Sequence, residues 1–368
     1  MTKALTLRAL NRATLARQLL LAREGLAPLA AVERLFALQA QWPKPPFVAL
    51  WSRLDGFRRE ELVSLLEGRK LVRTTLLRGT IHLVTAKDYL RVRPSLQPML
   101  SKAVTTVLKE RAKGLDLPGL VKEARAAFTE RPRTFTELRD ALSAARPDAD
   151  ERAMGLAVRM ELPLVQVPDG SRWAFPADAS FAVAEEWLGK PLSKEGLDKA
   201  GLVLRHLSIL GPASIAELQA WLGLQGLREV VEGLRPKLIE LEDHRGRELF
   251  DLPKAPRPDG DTPAPLRFLP EFDNCIVCRA DERFVAAAHR EAVYLSGLRV
   301  LGTVLVDGFA AAVWHVRRKK KDVATLEIAP FAAPDKKLKA LYAEEGEPLL
   351  RFLEPDAKTF ELTFDKRK

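Results

Sequence analysis

Two stretches of the chain share one polar and apolar pattern. Thr134-Phe135-Thr136-Glu137-Leu138 and Ser214-Ile215-Ala216-Glu217-Leu218 each place a hydroxyl three residues ahead of a glutamate, at the head of an apolar-periodic segment. That is the capping-box signature of a helix start. After the first, periodicity predicts another helix over about 150–160 and then a hairpin, with 162–167 and 172–175 as strands and Asp169-Gly170 as the turn. After the second it predicts a helix over about 227–234 and a hairpin of 238–242 and 247–251, turning at His244-Arg245-Gly246. The N-terminal region repeats the order, with helices near 7–22, 28–41 and 58–68 ahead of strands 71–77 and 80–84 joined at Arg78-Gly79. Helix, helix, hairpin, three times over, predicts three tandem winged-helix units over residues 1–110, 111–188 and 189–255. A stretch rich in Pro, Asp and Lys around 253–265 reads as a linker. Beyond it strand-like segments dominate (266–269, 275–278, 302–306, 311–316, 324–328 and 358–364), with one helix near 335–352. The expected fold is α+β and mainly helical, closing with a β-rich, barrel-like domain over 256–368.

One position breaks the apolar stripe. From Pro28 onward Val32, Leu35 and Phe36 share a helical face, and the next position on that face is Gln39. Pro43 disfavours helical geometry at Trp42, so the helix end should loosen and let Gln41 turn toward the same space. Two neutral amides would then converge on one small target. A Gln-x-Gln near a helix end is otherwise commonly satisfied by backbone groups.

Composition narrows the class. At 368 residues, with 47% hydrophobic and 29% charged residues, the chain is expected to fold as two or three soluble domains. Its 59 Lys and Arg against 49 Asp and Glu give a net charge of +10, which favours a polyanionic partner, although high Arg content also occurs in metabolic enzymes. No apolar run is long enough to span a membrane, and the first helix, carrying Arg8, Arg12 and Arg17, has no signal-peptide core, so a cytoplasmic protein is expected. Phosphate-binding glycine loops, His-Glu-x-x-His and Gly-x-Ser-x-Gly are absent from the sequence. Cys275 and Cys278 have half a zinc-knuckle spacing, but no second Cys or His pair follows, so core packing and no metal are expected.

Several further segments carry the strongest clue as a set. They are Leu38-Gln39-Ala40-Gln41, Pro45-Pro46-Phe47-Val48-Ala49-Leu50-Trp51-Ser52-Arg53-Leu54, Leu76-Leu77-Arg78-Gly79-Thr80-Ile81-His82-Leu83-Val84-Thr85 and Phe268-Leu269-Pro270-Glu271-Phe272-Asp273-Asn274. In that order the chain resembles the winged-helix DNA glycosylases of the AlkZ/YcaQ type, from Leu7 to about Phe352. The resemblance implies a monofunctional glycosylase without cofactor that removes alkylated purines, above all guanines alkylated at N7, and in some relatives interstrand crosslinks. It implies that Gln39 and Gln41 hold water and stabilise charge. Some relatives carry Asp at the second position, which places this chain in a Gln-x-Gln branch.

The remaining candidates divide between ordinary and functional readings. His82, opposite in facing to Ile81 and Leu83, is expected on the face away from the core, and the family's Gly-Thr-x-His-Leu motif implies a DNA or active-site contact. Arg78 at the turn suits a phosphate, and Trp42 either packs or contacts the lesion. Glu271, Asp273 and Asn274 read as loop caps or as support behind a DNA-facing cleft. Arg317, Arg318, Lys319, Lys320 and Lys321 are expected at a hairpin tip, as solvated surface or as phosphate contacts, and the tail Lys366-Arg367-Lys368 as nonspecific attraction. The expected partner is duplex DNA, bound by a monomer. The alternative is a non-enzymatic winged-helix regulator in which the two glutamines only support the fold.

Overall fold

The computed structural model describes residues 4–112, 114–277 and 281–364. Thr6 opens the first helix, α1 (Leu7–Arg17), its hydroxyl accepting the Ala9 N–H at 3.1 Å. Next come α2 (Pro28–Leu35), β1 (Ala37–Gln39), α3 (Pro45–Arg53), α4 (Arg59–Glu67), β2 (Leu71–Thr75) and β3 (Ile81–Thr85). The helix expected over 28–41 therefore ends before the glutamines. Phe36 takes φ 71°, the chain turns, and Ala37, Leu38 and Gln39 pair with Val84, Leu83 and His82. A short apolar run fits a strand as well as a helical face, and here pairing with β3 decides.

The 23-residue α5 (Ala86–Leu108) carries Pro94 and Pro98 inside it, and α6 (Leu117–Glu130) follows. The first capping box starts α7 (Phe135–Ala145) as expected, with α8 (Glu151–Glu161) next. Strand β4 (Leu164–Gln166) pairs with β5 (Phe181–Val183), not with 172–175. The latter segment is drawn into packing instead: Trp173 meets Phe47 edge-on at 5.1 Å, Ala174 takes φ 64°, and Phe175 is buried. Strand β4 also pairs with β2 through Thr74 and Val165, giving one five-stranded sheet in the order β1-β3-β2-β4-β5.

After α9 (Ala184–Leu188), α10 (Lys199–Leu210), α11 (Ile215–Leu222) and α12 (Leu227–Leu234) precede the hairpin of β6 (Ile239–Glu242) and β7 (Glu248–Asp251). Its turn is built as the sequence suggests, with Gly246 at φ 75° and Asp243 accepting the N–H groups of Arg245 and Arg247. The linker stretch has no regular structure but is strapped to α1. Arg8 donates to the Gly260 carbonyl at 3.2 Å, Arg12 to that of Thr262 at 2.6 Å and Arg17 to that of Pro256 at 3.2 Å.

The C-terminal region holds β8 (Arg267–Leu269), α13 (Arg290–Val293), β9 (Tyr294–Leu295), β10 (Arg299–Val300), β11 (Gly302–Val306), β12 (Phe309–Lys320), β13 (Val323–Pro330), α14 (Lys336–Leu353) and β14 (Thr359–Phe364). Its main sheet is open, in the order β14-β13-β12-β11-β8, so the expected barrel does not form. The reason lies in α14, which carries the chain back as a parallel crossover from β13 to β14 and covers a sheet face with Tyr342, Leu349, Leu350 and Leu353. Residues 275–277, expected as strand, form a turn in which Asp273 accepts the Cys275 N–H at 3.0 Å. Cys275 is buried; Cys278 lies outside the described residues, as do 366–368. Among the described residues, no helix is long and apolar enough to cross a membrane.

Candidate active site

The N-terminal sheet is covered on both faces, and this explains where its polar residues go. Val72, Val84 and Ala37 belong to a large core shared with α5, α8, α10, α11 and α12, while Leu71, Leu83 and Leu38 belong to a second core with α2, α3 and α4. By the two-residue period of a strand, Gln39, its partner His82 and Thr74 lie on the first of these faces. His82 is therefore buried, contrary to the expectation of a solvent-facing side chain. The alternation was read correctly, but the second face is no less covered.

At this sheet edge the two amides meet the segment 78–82. Gln39, 7% exposed, accepts a hydrogen bond on its Oε1 from Arg78 Nη2 at 2.8 Å. Gln41 has left the strand, and its Oε1 lies 3.4 Å from the Ile81 amide N–H. Arg78 is not a wing-tip cation reaching into solvent. It occupies a left-handed backbone position, donates to the Trp221 carbonyl of α11, and sets its guanidinium 5.6 Å from the Trp221 ring centre.

Behind the glutamines stands a residue that sequence reasoning missed. Arg73, 4% exposed on β2, donates to the carbonyls of Ala40 at 2.9 Å and Gln41 at 3.1 Å, and to the side chain of Gln166. These three acceptors are all uncharged. Burial, with the nearby charge of Arg159 adding to it, lowers the Arg73 guanidinium to about 10. The available signal was a charge at the centre of Leu71–Thr75, within a segment predicted as strand.

His82 is uncharged at neutral pH. Burial first and the charge of Arg78 second push it down to about 3, against a smaller opposing effect of the Thr80 carbonyl, 2.9 Å from Nδ1. That carbonyl can only accept, so the ring proton sits on Nδ1 and Nε2 keeps its lone pair. The unfolded imidazole takes up a proton below about 6.5, whereas the folded one resists until about 3. The stability that His82 contributes by staying neutral is thus complete above pH 6.5 and declines as the pH falls toward 3. Between pH 7.5 and 5, wild-type protein should lose about 2 kcal/mol more unfolding free energy than His82→Gln, measured by urea denaturation. Equal losses would place a water or a charge partner beside His82.

The other candidates separate. Asp273 is buried in a bidentate ion pair with Arg53, with both N···O distances 2.9 Å, and Asn274 donates to the Ala37 carbonyl at 2.6 Å. Asn274 thus supports the start of β1 and Asp273 ties its turn to α3, both buried. Glu271 lines a cavity of about 240 Å³ with Lys44, Pro45, Trp314, His315 and Val316, which brings β12 beside the loop that follows the glutamines. Trp42 in that loop is 57% exposed. The basic run closes the β12–β13 hairpin, with residues 317–320 in the end of β12 and Lys321 in the turn Lys321-Asp322, so only its last residue sits at the tip itself. Arg317 pairs with Glu327 at 3.2 Å and Arg318 with Glu354 at 2.7 Å. Among the described residues Lys320 and Lys321 have no ion-pair partner; the Lys319 side chain lies outside the description.

A buried amide, a half-buried one and an uncharged imidazole, backed by arginines, can hold water and orient dipoles without a strong acid or base. The sequence model of the family described as DNA glycosylase AlkZ-like matches residues 32–352, most of the chain. The protein belongs to the AlkZ-like DNA glycosylase family, and as such is an enzyme of DNA repair. Among solved structures it is similar to the Streptomyces sahachiroi DNA glycosylase AlkZ, with a TM-score of 0.79 and 18% sequence identity, over 98% of this chain and 100% of that one. At that identity the likeness is one of fold. No curated protein sequence matches the chain. Family membership sets aside the alternative of a non-enzymatic regulator.

Proposed function

We propose that this glycosylase hydrolyses the N-glycosidic bond of cationic alkylpurines in duplex DNA, above all N7-alkylguanine, with interstrand crosslinks through the same position as a further substrate. The observation that supports this most is the chemistry of the strand end. Gln39 and Gln41 meet Arg78, Arg73 and an amide N–H, and neither is hydrogen-bonded to a carboxylate among the described residues. His82, neutral down to about pH 3, keeps its one ring proton on Nδ1 against the Thr80 carbonyl and is no general acid at working pH. Such a site can cleave only a bond whose leaving group already carries the positive charge. Water oxygen attacks C1′, the C1′–N9 bond breaks, and its electron pair neutralises the alkylated purine. The proton lost by the water goes to solvent. The glutamines supply position and oriented dipoles rather than proton abstraction.

The rest of the chain is assigned to DNA engagement by a monomer. Residues 1–110, 111–188 and 189–255 are read as winged-helix units, and 256–368 as a C-terminal domain flanking the DNA path. Arg317, Arg318, Lys319, Lys320 and Lys321 are its candidate phosphate contacts, and exposed Trp42 a candidate stacking contact at the lesion.

The test is substrate range. Duplexes carrying N7-methylguanine or N3-methyladenine should be excised, and a duplex carrying uracil should not, because uracil leaves as an anion that needs help this site lacks. Efficient uracil release would contradict the proposed chemistry.

A further inference from the structure

The Gln39 carboxamide cannot present either end freely. A guanidinium has N–H donors and no acceptor, so the group facing Arg78 Nη2 at 2.8 Å must be the Gln39 oxygen. Flipping the amide would set N–H groups against a cation. Arg78 is itself fixed from three sides. It donates to the Trp221 carbonyl in the last turn of α11, where a cation is favoured by the helix dipole. Its guanidinium lies 5.6 Å from the Trp221 ring centre, and its backbone is left-handed at φ 57°. Gly223, ending α11 at φ 73°, packs so closely that a Cβ there would lie 3.2 Å from Arg78 Cγ and 3.3 Å from its Cα.

Gln39 therefore has one function to offer a substrate, the two N–H groups of its Nε2, which have no partner among the described residues. Gln41 is arranged the other way. Among the described residues its oxygen meets only the Ile81 N–H, at 3.4 Å, beyond the usual 2.7–3.2 Å of a full hydrogen bond. That carbonyl is the less committed of the two.

We infer that Arg78 is a positioning residue that fixes Gln39 as a hydrogen-bond donor and leaves Gln41 as the carbonyl facing developing positive charge. This division of labour rests on the proposed excision chemistry. Gln39 Nε2 then holds the attacking water by its oxygen, keeping a lone pair for C1′, while the Gln41 dipole faces the sugar. Because Arg78 is anchored on α11, the seating of that helix against the sheet edge sets the orientation of Gln39. Its contribution is thus to rate rather than to affinity for undamaged duplex.

The decisive variant is Gln39→Glu, which keeps the shape and an oxygen for Arg78 but removes the donor. Single-turnover excision of N7-methylguanine is compared for wild type, Gln39→Ala, Gln39→Glu, Arg78→Met and Arg78→Lys, alongside binding of undamaged duplex over a range of salt. Gln39→Glu is expected to fall by about 10²-fold, as Gln39→Ala does. Arg78→Met should lose about tenfold or more in rate with unchanged affinity and salt slope, and Arg78→Lys, which still offers a donor, should recover part of that rate. A Gln39→Glu enzyme as fast as wild type beside a slow Gln39→Ala would overturn the donor assignment and leave the excision chemistry standing. Full activity of Gln39→Ala would fail that chemistry itself. An Arg78→Met enzyme with wild-type rate but weaker, less salt-dependent binding would make Arg78 a phosphate contact and overturn its positioning role.

Discussion

Replacing Asp273 by alanine is expected to destabilise the protein by about 3–5 kcal/mol, the usual result of leaving one buried charge without its partner. Asp273 and Arg53 are both buried, and the guanidinium meets the two carboxylate oxygens at 2.9 Å each. Arg53 also donates to the carbonyls of Gln18 at 2.9 Å and Ala49 at 3.0 Å. Burial works against its charge, but Asp273 and Cys275 together hold the guanidinium above its ordinary range. Without the carboxylate those neutral acceptors remain and the counter-charge does not. The pair joins α3 to the segment after β8, next to Asn274, whose amide holds the Ala37 carbonyl at the start of β1. Urea denaturation checks this directly, with Glu271→Ala as a control expected to stay within about 0.5 kcal/mol. A cost below about 1 kcal/mol for Asp273→Ala would mean that the pair is solvated and behaves as a surface bridge.

Gln39→Ala and Gln41→Ala should each slow single-turnover excision by about 10²-fold or more, the range found when one hydrogen-bonding group directed at a transition state is removed. Duplex affinity should change little, because neither side chain is placed as a charge for the phosphate backbone. The pairing of β1 with β3 and the anchoring of its exit by Arg73 rest on backbone groups that alanine retains. Rate should therefore fall without loss of fold, which the midpoint of thermal unfolding monitors. A parallel loss of binding and of unfolding temperature would indicate structural damage instead.

Much of this arrangement was legible because helix starts and hairpin turns are local. Thr134, Ser214 and the turn at Asp243 to Gly246 depend on neighbours within three or four residues, and the structure places them as read. Gln39 stood out for the same reason, as a polar residue on an apolar stripe. What misled the reading was long-range. The stripe from Pro28 breaks at Phe36 because β3 offers a distant strand partner, at the Ala37–Val84 pair. His82 was placed on the open face because alternation does not say whether a second layer covers it, and here α5, α8, α10, α11 and α12 do. No helix was predicted over α5, whose Pro94 and Pro98 each remove a backbone hydrogen bond and argue locally against one.

Charge was the least transparent signal. Arg12, Arg17, Arg53 and Arg283 count toward the net +10, yet they are buried against Asp307, Asp251, Asp273 and Asp281. A basic composition here is partly an internal framework that binds α1 and α3 to distant segments. The cations of the site itself, Arg73 and Arg78, act on carbonyls and on Gln39 rather than on solvent.

The most direct test of the account is made with the unmodified protein and a duplex bearing a single N7-methylguanine. After incubation, abasic sites are cleaved with alkali and the labelled strand is sized, beside a Gln39→Ala sample and an undamaged duplex. The account predicts alkali-dependent scission at the lesion by the wild-type protein, unaffected by EDTA, strongly reduced in the variant and absent from undamaged DNA. Tight binding of the lesion duplex with no scission above the spontaneous rate would contradict it.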